Sequence, residues 1–167
     1  MPHGRDAVTV NKTQLLKSIV IKLERDLEMY YKVAKASHEE ATDPQNKAEN
    51  KYDTRGLEAA YLAGGQVRQA AETEAVLTCF RNLVPRRFGP IDAIDISALV
   101  EVKTGLETDH FFIAPRGGGL EVKVGKVEIT VLTPQSPLGE LLMGRKAGDT
   151  LQVKHGRIQS QSIVNVS

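Results

Sequence analysis

Val84-Pro85-Arg86-Arg87-Phe88-Gly89-Pro90 separates two halves of the chain built from different residues. Before it, no glycine occurs between Arg5 and Arg55, and Pro44 is the only proline between His3 and Val84. After it, from Phe88 to Ser167, come ten glycines and four prolines. In a helix interior glycine costs about 1 kcal/mol relative to alanine, and proline about 3. The first half is therefore expected to be helical and the second to consist of short strands and turns. Residues 84–90 read as the linker between a domain of residues 1–87 and one of 88–167.

Working back from the linker, apolar residues fall at Leu16, Val20, Leu23, Leu27, Tyr30 and Ala34. Alternating steps of four and three are the a/d seam of a coiled coil. The helix should start near Asn11-Lys12-Thr13 under an Asn or Thr cap and stop near Thr42. Thr42-Asp43-Pro44-Gln45 restarts it: Thr or Asp can cap, proline suits the first turn, and Gln45 can return a capping-box bond. A second helix then runs toward Leu83, with a seam of small residues at Leu57, Ala60, Gly64, Val67 and Ala71. Gly64 and Gly65 weaken it, and close approach to the first helix is the expected compensation. Two long arms joined by a short turn must run antiparallel, as a coiled-coil hairpin.

Working forward, the period changes to two. Leu99, Val100 and Val102 precede Thr104-Gly105, Phe111 to Ile113 follow, and Leu120, Val122 and Val124 alternate. The alternation slips by one after Gly125-Lys126, which calls for a tight turn or bulge. Pro137 to Met143 suits one short helix closed by Gly144, and Leu151, Val153, Val164 and Val166 belong to the last strands. The fold class expected is α+β: an N-terminal antiparallel hairpin followed by a strongly bent antiparallel β domain with one short helix.

Composition narrows the functional classes. The chain has 167 residues, 41% hydrophobic and 26% charged, with 22 Lys+Arg against 21 Asp+Glu. It can bury a core, and a wholesale nucleic-acid coat is not indicated. Cys79 is the sole cysteine, and no Cys/His cluster has zinc spacing. No apolar run approaches the roughly 20 residues that span a bilayer, and no signal-peptide core follows the N-terminus. A soluble protein with no membrane association, most simply cytoplasmic, is expected.

The charge is unevenly placed. Residues 1–37 are net +3, residues 38–53 net −3, residues 54–87 net +2 and residues 88–167 net −1. The hairpin thus has basic stems and an acidic tip carrying Glu39, Glu40, Asp43, Glu49 and Asp53. Such acids serve the positive end of a helix dipole. They also supply the hard oxygen ligands of Mg²⁺, which one or two carboxylates hold only weakly without substrate phosphates.

The segment Leu132-Thr-Pro-Gln-Ser-Pro-Leu-Gly-Glu-Leu-Leu-Met-Gly-Arg-Lys-Ala-Gly-Asp-Thr-Leu-Gln-Val153 strongly resembles the signature of the bacterial Gre transcript-cleavage factors (GreA/GreB). The matching elements are Ser136-Pro137, the apolar stretch Leu138 to Met143, Gly144-Arg145-Lys146-Ala147-Gly148-Asp149, and the strand from Thr150 to Val153. The resemblance implies an FKBP-like C-terminal domain that docks on bacterial RNA polymerase, with Gln135, Ser136 and Pro137 at the polymerase-binding motif. It implies a coiled coil that enters the secondary channel during transcription elongation, meeting nascent RNA and DNA template only through the elongation complex. It further implies tip carboxylates that help hold a catalytic Mg²⁺ shared with the polymerase, so that the protein is a cofactor and not an enzyme in its own right. Asp43 matches the family's first functional aspartate and Ala48-Glu49 its later Ala-Glu pair. The second functional carboxylate falls on Asn46, and alternative alignments bring Glu49 or Asp53 near that role. Cleavage of backtracked RNA and occupancy of the channel without cleavage are the two functions in view.

Other chemistries find less support. Prolyl isomerisation needs an aromatic-lined pocket, but residues 88–167 hold no Trp or Tyr, and Phe88, Phe111 and Phe112 read as core. Gly117-Gly118-Gly119 lacks the lysine and helix of a phosphate-binding loop and reads as a hairpin turn. His38, His110 and His155 have no nucleophile in pattern.

Overall fold

A computed structural model describes residues 9–46, 55–155 and 157–167. By packing, the chain divides into one unit of Met1–Ile19 with Asn82–Ser167 and a second of Val20–Arg81. The base of the first helix therefore belongs with the sheet.

The second unit holds most of α1 (Lys12–Thr42) and α2 (Arg55–Asn82), which run antiparallel. Arg81 Nη2 meets Glu24 Oε1 at 2.6 Å, and Tyr31 Oη donates to Glu74 Oε2 at 3.4 Å. Seven residues forward on α1 correspond to seven back on α2, which is one heptad. α1 begins where expected: Asn11 Oδ1 accepts from the amides of Thr13 (2.8 Å) and Gln14 (3.3 Å). Beyond the base, Leu23 and Ala34 of the expected seam are buried, Leu27 and Tyr30 half-buried, and the seam continues to Ser37. At the base the buried residues are Leu15 and Ile19 in place of Leu16 and Val20. Leu15, Ile19 and Leu23 form one i, i+4 row, so here the buried stripe follows the straight helix and not the supercoil.

The expected seam of α2 is one residue out of register. The inward row is Ala59, Ala63, Gln66, Ala70, Thr73, Leu77 and Phe80; Ala60, Val67 and Ala71 are exposed. Apolar residues such as Tyr61 and Leu62 also lie on the solvent side, so the pattern alone does not select a face. The seam is graded: Leu23, Leu77 and Phe80 fill it near the base, whereas Ala34, Ser37, Ala59, Ala63 and Ala70 line its distal part. Burying a Leu or Phe stabilises by about 1.5–3 kcal/mol, and one methyl group by only about 0.8.

In the first unit, six strands form one sheet of order β3-β4-β2-β1-β6-β5. They are β1 (Leu99–Thr104), β2 (Glu107–Ile113), β3 (Glu121–Val124), β4 (Val127–Leu132), β5 (Thr150–His155) and β6 (Arg157–Val166), with α3 (Pro137–Leu142) between β4 and β5. The α+β class is as expected, but the sheet is not wholly antiparallel: β2 and β4 are parallel neighbours, with Phe112 opposite Val131. Pro115 to Gly119 is not a hairpin turn. It carries the chain past one strand position, so that β3 lands outside β4, and Gly117 and Gly119 take the positive φ (86° and 89°) that this path needs. The slip after Val124 is a two-residue hairpin joining Val124 to Val127, with Gly125 at φ 62°.

Both faces of the sheet are buried. Val100, Val102, Ile113, Leu142, Leu151 and Ile163 share one core. Leu99, Phe112, Ile129 and Val131 are buried on the opposite face. Among the described residues no helix is long and apolar enough to cross a membrane.

The glycine pair in α2 is not a close-approach site. A Cβ on Gly64 or Gly65 would meet only the Arg68 guanidinium, at 3.9 and 4.0 Å. Gly64→Ala and Gly65→Ala are therefore expected to stabilise the protein by about 0.4–1 kcal/mol each. Urea unfolding followed by circular dichroism checks this; a loss of stability would mean that the helices approach there after all.

Candidate functional site

The loop after β4 is built around one hydroxyl. Ser136 Oγ donates to the Thr133 carbonyl (2.7 Å) and accepts from the Gly139 amide (3.1 Å), which makes it the N-cap of α3. The Ser136 amide closes the preceding turn on the same carbonyl at 3.0 Å. Pro137 fills the first helical position, where the lost N–H is not needed. Gly139 is required by proximity, because a Cβ there would collide with the Thr133 carbonyl oxygen. This seating drives Leu142 fully into the core.

The end of α3 is held as firmly. Gly144, at φ 78°, donates to the Ile94 carbonyl (2.9 Å), and Ile94 donates to Arg145 (2.7 Å). Asp149 Oδ2 accepts from the Lys146 amide (2.8 Å), and Gly148, at φ 94°, donates to Ile163 (2.8 Å). Much of the segment 132–153 thus encodes its own fold. Gln135 and Pro137 are exposed, while Ser136 is half-buried and occupied by its cap. Leu141 (39% exposed), Arg145 and Lys146 are also exposed in this segment. Sequence reasoning did not single them out, although the i, i+4 pair of half-buried Leu138 and buried Leu142 leaves Leu141 outside the core row.

At the hairpin tip, Asp43 is exposed and its Oδ1 accepts from the Gln45 amide at 2.9 Å. Asp43, not Thr42, is the cap; Thr42 Oγ1 turns back to the His38 carbonyl at 2.9 Å. What it caps is a single 3₁₀ turn, Pro44–Asn46. Glu49 and Asp53 lie outside the described residues. Among the described residues no group of three or more His, Cys, Asp or Glu is placed to hold a metal. Asp43 itself suits Mg²⁺ in kind: a solvent-facing carboxylate whose second oxygen is not used by the cap.

The remaining sequence candidates fall into structural roles. Phe112 is fully buried, Phe111 packs against the core, and Cys79 is half-buried.

No family model matches the chain, and no curated protein matches it at a significant level. Among solved structures, it is similar to the GreA factor homolog 1 (Gfh1) protein of Thermus thermophilus, at 21% identity over 91% of this chain and 94% of that one, with a TM-score of 0.37. Gfh1 of Thermus aquaticus gives 20% identity, 90% and 92% coverage and a TM-score of 0.37. The transcription elongation factor GreA/GreB from Nitrosomonas europaea gives 15% identity, 66% and 92% coverage and a TM-score of 0.37.

Ser136→Ala should lower the unfolding free energy by about 1 kcal/mol through loss of the cap. Gln135→Ala, on an exposed side chain, should stay within about 0.5 kcal/mol of wild type. Gly139→Ala should be the most damaging of the three. Thermal melts of the variants check the order, and a Ser136→Ala protein as stable as wild type would remove the cap from the account.

Proposed function

We propose that this protein is a Gre-type transcription elongation factor that binds bacterial RNA polymerase, docks through the loop at Gln135, Ser136 and Pro137, and places its hairpin in the secondary channel. The observation that carries the reading is the segment 132–153, the most specific motif in the chain. It folds as a rigidly seated turn that leaves Gln135 and Pro137 free for a partner. A long antiparallel hairpin with an acidic tip precedes it, and the chemistry asked of that tip is assistance to a polymerase metal site. Asp43, with Glu49 or Asp53, would hold a shared Mg²⁺, which activates water for attack on an RNA phosphodiester when bound. On this reading the protein has no reaction of its own.

A second reading has its own observations. Asn46 stands where a second carboxylate is expected, and one oxygen of Asp43 is already engaged in capping. Both favour a factor that occupies the channel and regulates transcription without cleavage.

Backtracked elongation complexes with Mg²⁺ separate the two. Asp43→Asn keeps a side chain that caps equally well while removing the charge. It is expected to abolish cleavage stimulation with polymerase binding nearly intact. Asn46→Glu is expected to raise the release of short 3′ RNA fragments. Wild-type protein that binds polymerase, releases no fragments and is unmoved by Asn46→Glu would leave the channel-occupying regulator. Docking is tested by Gln135→Ala: polymerase pull-down should fall while the melt stays unchanged, and full retention would move docking elsewhere.

A further inference from the structure

We propose that a cavity at the base of α1 binds a compact phosphoanion, such as pyrophosphate or inorganic phosphate, through Lys12, Arg86 and Arg87. The cavity measures about 500 Å³ and brings the start of α1 against the linker, with these three cations, Phe88 and the last residue, Ser167, in its wall and no Asp or Glu side chain.

The cations are held close, and Arg86 and Arg87 also line an adjoining hollow that contains Asp92 and Asp95. Lys12 Nζ donates to the Arg86 carbonyl at 2.7 Å and lies 4.7 Å from the centre of the Phe88 ring. The Arg86 guanidinium carbon lies 4.3 Å from the same centre. One aromatic ring thus holds two like charges, each attracted to its π-face while they repel each other. The nearest carboxylate paired with Arg86 is Asp95, at 3.9 Å with both side chains more than half exposed, a contact too loose to cancel that repulsion. Arg87 is exposed and makes no ion pair among the described residues. The cost is visible in Lys12: burial, and then the Arg86 charge, pull its pKa from 10.5 down to about 8.

A dianion in the cavity would offset this repulsion. Lys12 spends one of its three N–H donors on the Arg86 carbonyl, which leaves two, and the guanidinium forks match tetrahedral oxyanions. The amides of Thr13 and Gln14 are taken by the Asn11 cap, so the site rests on side chains and not on the helix terminus. The ligand is compact because the charges converge on one cavity; a nucleic-acid strand is tracked by cations spread along a groove.

The test uses the full chain in phosphate-free buffer. Calorimetric titration with pyrophosphate, inorganic phosphate and a short single-stranded RNA lacking terminal phosphates is paired with acetylation read by mass spectrometry. Acetylation is done at a pH near 8, where the lowered Lys12 pKa makes its amine more reactive than that of an exposed lysine. Pyrophosphate is expected to bind at one site and to suppress Lys12 acetylation several-fold relative to the exposed Lys103. Arg87→Gln should weaken binding by about tenfold with an unchanged melt. Three results would overturn the proposal: no heat and no protection at millimolar pyrophosphate, protection that persists in Arg87→Gln, or binding of the RNA but not of pyrophosphate.

Discussion

The contact between Gly139 and the Thr133 carbonyl sets the geometry of the loop after β4 and of much around it. Only a residue without a Cβ lets α3 sit this close to the end of β4. Once seated, the helix carries Leu142 into the core and delivers Gly144 to Ile94 and Arg145 within reach of the same residue. Ile94 follows the linker, so one close approach ties the end of β4, the short helix and the entry to the sheet into a single hydrogen-bonded knot. Ser136 spends its hydroxyl inside that knot. The side chains left outside it are free to meet another molecule on a surface that does not have to order itself first.

What could be read beforehand followed from local chemistry. The Asn11 cap, the end of α1 at Thr42, the Ser136 start and Gly144 end of α3, and the glycine turn after Val124 are each decided by a few adjacent residues. The α1 seam from Leu23 to Ala34 was legible because its apolar residues are large and lie on one stripe. The α2 seam was not. Alanine fits a helix facing either way, and Tyr61, Leu62 and Val67 place apolar surface on the wrong side. The parallel pairing of β2 and β4 was also hidden, because it depends on where a loop lands and not on any residue's preference. Of the candidate site, the cap of α3 at Ser136 was legible from adjacent residues, but the exposure of Leu141 emerged only with the helix in place. Of the three tip acids singled out, only Asp43 falls among the described residues, and its role in capping the 3₁₀ turn is a detail of backbone geometry that spacing alone does not fix.

The charges follow the same division of labour. Pairs such as Arg81 with Glu24 lie on the flank of the hairpin, where solvent leaves them worth little but their register is informative. The cations at the base of α1 are different, since two of them, Lys12 and Arg86, gather on one ring.

The graded seam also sets the calibre of the hairpin. Helix axes pack about 8 to 10 Å apart according to the side chains between them, with the smallest residues at the lower end. Leucine and phenylalanine near the base hold α1 and α2 apart, whereas alanine and serine farther out let them draw together. The small residues of the distal seam thus favour a closer helix spacing there than the large ones favour near the base. On the proposed reading, in which the hairpin enters a confined passage, the small side chains of the distal seam trade buried area for slimness.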